Sequence, residues 1–319
     1  MKKIAILTSG GDAPGMNACI RACVRSAINS GLEVYGVDRG FKGLVENRII
    51  PMDTHSVCDI IHRGGTILKT ARCLEFKETE TRKIAADNLK NLGIEGLIVI
   101  GGDGSITGAK CLSDEYGINV VGIPGTIDND LAYTDFTLGF DTAVNTVLWA
   151  INALRDTMTS HDRVSLIKVM GRHCGDIALY AGICGGAEYI LVPEVPYDIQ
   201  KIANEIKANK EKGKTASVIV LAEGAGNEQE IKTIVSVISG SDVKLSTLGH
   251  IQRGGTPTMA DRMLAAKFGV KAVNLLINGK TNRVVGCRGK EIFDLDITEA
   301  LSQKKKIDTD LYHLAGELC

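Results

Sequence analysis

Short, continuous apolar runs rich in β-branched residues recur along the chain, and stretches with helical spacing separate them. Ile4–Thr8, Leu97–Ile100, Val120–Ile123, Val164–Ile167 and Val218–Leu221 are such runs. Strands that read apolar without alternation are covered on both faces, as in a parallel sheet enclosed by crossover helices. Glu78–Leu92, Asp141–Thr157, Ile199–Lys210 and Asp261–Ile277 supply the helical spacing. The pattern predicts an α/β fold with largely parallel, doubly wound sheets. At 319 residues the chain exceeds what one hydrophobic core usually serves, so two lobes are expected. No short-period repeat or Pro-rich linker marks the boundary between them.

Charge and cysteine usage exclude several classes. With 37 basic and 38 acidic residues the net charge is −1, so no overall positive field exists to hold nucleic acid or anionic lipid. No uncharged apolar run approaches the roughly 18–20 residues of a membrane span. The start, MKKIAILTSGGD, lacks the length and cleavage site of a signal peptide, so a cytoplasmic location is expected. The nine cysteines are an odd number without a C-x-x-C pair, which argues against a disulfide framework or a zinc site. Cys19 and Cys23 stand four apart on an expected helix and read as small buried apolar residues.

Ligands of open α/β sheets bind beyond the carboxyl ends of the strands. Three such ends carry Gly with Asp: Ser9-Gly10-Gly11-Asp12, Gly101-Gly102-Asp103-Gly104-Ser105 and Pro124-Gly125-Thr126-Ile127-Asp128-Asn129-Asp130. Glycine lets the backbone approach a ligand closely, and a following helix N-terminus points N–H groups at negative charge. Either loop alone also reads as a tight turn, and neither matches the strict P-loop or the dinucleotide fingerprint. A carboxylate at Asp103 would repel phosphate unless a divalent cation lay between them, and Mg²⁺ suits such hard oxygen ligands. Its alternative is a helix cap. Asp128 and Asp130 point the same way if their segment stays extended, which suits a general base, although Asp and Asn clusters also build ordinary turns. Arg72, Arg163, Arg172 and Arg253 near Gly or strand ends are candidate phosphate partners or solvated surface charges.

Together with Thr8–Asn17, Met170-Gly171-Arg172 and Gly249-His250-Ile251-Gln252-Arg253-Gly254-Gly255, these motifs resemble the bacterial ATP-dependent phosphofructokinase family along essentially the whole chain. The resemblance implies two similar α/β lobes with the active site in the cleft between them. Residues 1–139 plus 257–303 would bind ATP and 140–256 plus 304–319 the sugar phosphate. It implies that Gly11, Arg72, Cys73, Gly102, Asp103, Gly104 and Ser105 surround ATP, with Asp103 placing Mg²⁺. Asp128 would be the base for the sugar 1-hydroxyl, with Thr126 and Arg172 stabilising the moving phosphoryl group. Fructose 6-phosphate would meet Thr126, Ile127, Asp128, Met170, Gly171, Arg172, Glu223, His250, Ile251, Gln252 and Arg253. Arg163 and Lys244 would reach it from a neighbouring subunit of a homotetramer.

The resemblance also implies a regulatory site for ADP or phosphoenolpyruvate at Arg21, Arg25, Arg155, Gly186, Glu188, Lys212 and Lys214. Three positions depart from the family pattern: Lys244 and Thr54 stand where Arg is usual, and Ala216 where His is usual. Gly104 and Gly125 are small where pyrophosphate-dependent members carry Asp and Lys, which favours ATP as donor. A non-catalytic sensor would be expected to have lost Asp103 or Asp128, and both are present.

Overall fold

A computed structural model describes residues 1–318, so Cys319 lies outside the described residues. The chain divides into two compact units. The first holds Met1–Ile127, Leu131–Thr142 and Arg253–Lys304; the second holds Asp128–Asp130, Ala143–Gln252 and the segment from Lys305 onward. The crossings expected at 139/140, 256/257 and 303/304 fall instead at 142/143, 252/253 and 304/305, with Asp128–Asp130 joining the second unit.

In chain order the elements are β1 (Lys3–Thr8), α1 (Met16–Asn29), β2 (Glu33–Val37), α2 (Gly40–Val45), β3 (Ile49–Met52), α3 (Thr79–Asn91), β4 (Gly96–Gly101), α4 (Asp103–Tyr116) and β5 (Asn119–Pro124). There follow α5 (Phe140–Thr159), β6 (Val164–Val169), α6 (Asp176–Cys184), β7 (Tyr189–Leu191), α7 (Ile199–Glu211), β8 (Ser217–Ala222), α8 (Glu228–Ser239) and β9 (Val243–Thr247). The chain closes with α9 (Met259–Ile277), β10 (Arg283–Arg288), β11 (Glu291–Asp296), α10 (Ile297–Ser302) and α11 (Thr309–Leu318). All five apolar runs lie within strands, and the four helical stretches are α3, α5, α7 and α9 within a residue or two at their ends.

The first unit carries a seven-stranded sheet in the order β11-β10-β5-β4-β1-β2-β3. Its central strands are parallel, whereas β3 runs antiparallel to β2 and β11 to β10. Alternate residues of the central strands enter opposite layers. Ala5, Leu7, Leu97, Val99 and Val120 join Phe41, Leu89, Ile106 and Leu112 of α2, α3 and α4 in one core. Ile4, Ile6, Ile98, Ile100 and Val121 are equally buried, so both faces are covered, as the uninterrupted apolar runs require. Helices α1 and α9 pack closely because Gly269 has no side chain: a Cβ there would stand 2.7 Å from Ala22 Cβ. Cys19 and Cys23 are wholly buried on α1.

The second unit carries a smaller, all-parallel sheet in the order β7-β8-β6-β9. One face packs on α7 and α8 through Ala203, Ile206, Ile231 and Val235. The two units are therefore alike in architecture but unequal in size, seven strands against four. The difference comes partly from edge additions. Pro51 lies on the terminal strand β3, where a missing N–H costs no central ladder bond. The two-residue loop joining β10 to β11 places Gly289 at φ 56°.

The shift of the first crossing has a chemical cause in the first unit. Asp261, in the first turn of α9, accepts hydrogen bonds from the Gly139 and Thr142 N–H groups at 2.8 and 2.9 Å and from Thr142 Oγ1 at 2.5 Å. Thr258 caps α9 and donates to Asp141 at 2.5 Å, so each helix start serves the other. Burial pushes the Asp261 carboxyl up to about 6, against the opposing pull of the Thr142 and Gly139 hydrogen bonds. Between its ordinary value of 3.8 and about 6 the folded protein thus holds a proton that the unfolded chain has lost. Stability from this group is present below that window and declines as pH rises through it. Denaturant unfolding should therefore show the gap between wild type and Asp261→Asn shrinking from pH 4 to 6.5, by on the order of 2 kcal/mol. A constant or widening gap would contradict the assignment.

Candidate functional site

In the first unit the three Gly-bearing loops follow neighbouring strands, because β5, β4 and β1 are adjacent. From β1 the chain moves outward to β2 and β3, and from β4 it moves the other way to β5. The β1 and β4 loops thus flank a topological switch point, the place where open α/β sheets receive ligands. Backbone bonds lace the strand ends together: Ser9 N–H to Ile100 O and Gly125 N–H to Gly101 O, both at 3.0 Å. Gly101 is required for this approach, since a Cβ would lie 2.5 Å from Ser9 O. At Gly104, by contrast, a Cβ would meet no protein atom within 4 Å. The space over the start of α4 is open to a ligand.

Asp103 is the first residue of α4 and is exposed, and the N-cap, Gly102, has no side chain to contribute. The Asp103 carboxylate makes no side-chain hydrogen bond or ion pair among the described residues, so the capping alternative fails. Ser105 is buried behind it. The Arg253 guanidinium lies on the backbone of the β1 loop, 3.4 Å from Asp12 O, and a Cβ on Gly11 would collide with its Nη1 at 1.9 Å. Arg253 thus belongs to the first unit, on the opposite side of the boundary from that expected. Asn17 closes the Thr8–Asn17 motif. Buried on α1, it donates to Arg63 O and Gly64 O and accepts from Ile67 N–H, fixing the loop that leads to Arg72 and Cys73. Arg72 is exposed and Cys73 half-buried, and burial pushes the Cys73 thiol up.

The second unit gathers Asp128, Asp130, Arg172 and Glu223. Arg172 Nε lies 3.5 Å from Asp128 Oδ2, and Nη1 lies 3.8 Å from Asp130 Oδ2. Asp128 is 2% exposed, so its charge is partnered by a guanidinium reaching in from solvent. The segment is not extended as the alternation argument assumed. Asn129 adopts φ 51°, and the two carboxylates converge on one guanidinium through this turn. Arg172 itself sits at φ 55°, with its N–H held by Glu223 Oε1 at 2.7 Å. Gly224 makes room for the Arg172 carbonyl, which a Cβ would meet at 2.3 Å. Cys174 donates to Asn129 O at 3.7 Å, and burial pushes its thiol to about 12, which keeps it protonated.

A profile described as Phosphofructokinase matches residues 3–276. The chain belongs to the phosphofructokinase family. It is 57% identical over 315 residues to the ATP-dependent 6-phosphofructokinase of Clostridium botulinum (strain Loch Maree / Type A3), covering 99% of this chain and 98% of that protein. It is 56% identical over 318 residues to ATP-dependent 6-phosphofructokinase 1 of Clostridium perfringens (strain 13 / Type A), covering 100% and 99%. Among solved structures, phosphofructokinase from Saccharomyces cerevisiae superposes with a TM-score of 0.90 at 35% identity, covering all of this chain. This chain spans 48% of that yeast chain's length.

The remaining residues marked by the phosphofructokinase resemblance fall into three groups. Gln252 is wholly buried, donating to Gly249 O and accepting from Met170 N–H, so it braces the turn at Gly249–Arg253 while His250 and Ile251 are exposed. The Ile127 side chain is likewise buried. Arg163 and Lys244 both pair with the exposed carboxylate of Asp242, at 2.9 and 3.0 Å. Lys244 and then Arg163 hold that carboxyl below its usual range. Around the loop after α6, Arg155 donates to Gly185 O and Gly186 O, and Glu188 pairs with Lys214 at 3.1 Å. Lys212 caps the end of α7 nearby in sequence. Arg21 and Arg25 lie on α1 of the first unit.

Because the Asp103 carboxylate has no structural partner, its removal should be nearly silent in stability. Asp103→Asn should lower the unfolding free energy by no more than the roughly 0.3–1 kcal/mol of a charge at a helix N-terminus. Chemical denaturation measures this, and a larger loss would reveal a structural role.

Proposed function

We propose that this enzyme transfers the γ-phosphoryl group of ATP to the 1-hydroxyl of D-fructose 6-phosphate, giving fructose 1,6-bisphosphate and ADP, a committed step of glycolysis. The observation that carries this reading is the buried Asp128 held against Arg172, in a chain nearly 60% identical to ATP-dependent relatives. Asp128 accepts the hydroxyl proton as the sugar oxygen bonds to the γ-phosphorus and the bond to ADP breaks. Arg172, with Thr126, offsets the charge of the moving group. Gly11, Arg72, Cys73 and Gly102–Ser105 hold the nucleotide. Met170, Gly171, Glu223, His250 and Arg253 receive the sugar phosphate, while Ile127, Ile251 and Gln252 shape its surroundings. Open space at Gly104 favours the bulkier nucleotide over pyrophosphate.

The donor set at Asp103 fits Mg²⁺: an exposed carboxylate without a structural partner, beside room for phosphate oxygens. Among the described residues no group of three or more His, Cys, Asp or Glu forms a protein cage, which suits a cation shared with substrate phosphates. When bound, Mg²⁺ neutralises phosphate charge. No described helix is long and apolar enough to cross a membrane, and the reading includes a cytoplasmic homotetramer. In that assembly Arg163 and Lys244 reach the sugar phosphate of a neighbouring subunit.

A coupled ADP-release assay with Mg²⁺, ATP and a panel of sugar phosphates tests the reaction, and turnover with pyrophosphate but not ATP would overturn the donor assignment. Asp128→Asn should keep ATP binding while losing roughly 10²–10⁴-fold in turnover. Near-normal turnover in the folded variant would remove the base.

The proposal extends to regulation by ADP and phosphoenolpyruvate at Arg21, Arg25, Arg155, Gly186, Glu188, Lys212 and Lys214. Arg21 and Arg25 face one another one turn apart, at a cost of a few tenths of a kcal/mol that a bound anion offsets. Thr54 stands where the family usually has Arg and Ala216 where it usually has His, which removes one phosphate contact and one further polar contact, so effector binding should be weaker than in better-matched members. Saturation by fructose 6-phosphate should respond to each effector in wild type and lose that response in Arg21→Ala/Arg25→Ala. Unchanged responses in the double variant would exclude this helix.

A further inference from the structure

The turn that carries Asp128 is held by two side chains to which the reading above gives no role. Asn129 Nδ2 donates to Asp176 Oδ2 at 2.8 Å, and Lys305 Nζ pairs with the same oxygen at 3.0 Å. Asp176 lies in the first turn of α6 and is 4% exposed. Lys305 opens the terminal segment of the second unit and lies beyond the family-matched residues 3–276.

The geometry makes this pair more than a distant ion pair. Asn129 is at φ 51°, a left-handed conformation that costs most L-residues energy and that Asn tolerates best. Its side-chain bond to Asp176 braces the turn, and the carboxylates on either side both lie against Arg172. Lys305 in turn supplies the cation paired with the buried Asp176 carboxylate beside the base loop, and removing one partner of a buried ion pair is costly. We propose that Asp176 and Lys305 are positioning residues for the base, acting through Asn129. This inference rests on the reading of Asp128 as that base.

Lys305→Met should lower kcat roughly 10- to 10²-fold, the scale of misplacing a catalytic group by about an ångström. KM for fructose 6-phosphate should stay within about twofold, because Met170, Gly171, Glu223, His250 and Arg253, the residues proposed to receive the sugar phosphate, lie outside the Asp128–Asp130 turn. Lys305→Arg should keep kcat near wild type. The double variant Asp176→Asn/Lys305→Met should recover most of the loss, since an amide at 176 still accepts from Asn129 and leaves no charge to compensate. Thermal melts establish that each variant is folded, and the conservative and double variants decide the matter if Lys305→Met does not fold. A wild-type kcat in Lys305→Met, or a double variant no better than the single one, overturns the proposal. Asp128→Asn in the same assay separates the failures. Inactivity there beside a wild-type Lys305→Met sinks only the positioning role, whereas full turnover removes the base and this proposal with it.

Discussion

The closeness of Ser9 to Gly101 is the constraint on which the first unit's ligand face depends. Two parallel strands can end side by side only if the loops leaving them do not collide, and a Cβ at 101 would lie 2.5 Å from the Ser9 carbonyl. With glycine there, the Ser9 N–H reaches Ile100 O and the Gly125 N–H reaches Gly101 O. Three strand ends then present their backbone as one surface. The start of α4 adds its dipole to that surface, and Asp103 stands on it with no structural duty. The glycines thus divide the work. Gly101 lets protein meet protein, Gly11 admits the Arg253 guanidinium, and Gly104 leaves its space empty.

The parts of the fold legible in the sequence were those where one physical effect dominates. Strands covered on both faces read as unbroken apolar runs, and long crossover helices read as 3.6-residue spacing. The edges carried no such signal. In β2 and β3, Glu33, Ile50 and Pro51 are exposed, and β11 has no fully buried residue. The chain crossings were equally hidden. They are set by contacts made far along the sequence, such as Asp261 binding the first turn of α5, 119 residues away from Thr142.

The same distinction runs through the site. The Gly and Asp residues at strand ends were legible because loop chemistry is local. The turn at Asn129 was not, because the groups that meet it are distant in sequence: Asp176, 47 residues on, and Arg172 between two carboxylates. Gln252 and Arg253 show the limit of reading a motif residue by residue. They are neighbours in sequence, yet Gln252 is buried as a brace within the second unit while Arg253 lies on Gly11 in the first.

The charges of the second unit carry an electrostatic consequence for the proposed chemistry. Asp128, Asp130, Glu223 and Asp176 bring four carboxylates to one region, with Arg172 and Lys305 among their partners. Counted by themselves these six groups are net negative, and Arg172, with a side chain 65% exposed, is partly screened by water. A polyanionic donor approaching such a region is repelled unless its own charge is neutralised first. Under the proposed reaction these groups favour a divalent cation on grounds independent of Asp103. In the proposed transfer, Asp128 keeps Arg172 as its guanidinium partner, and the phosphate charge is left to cations delivered with the donor.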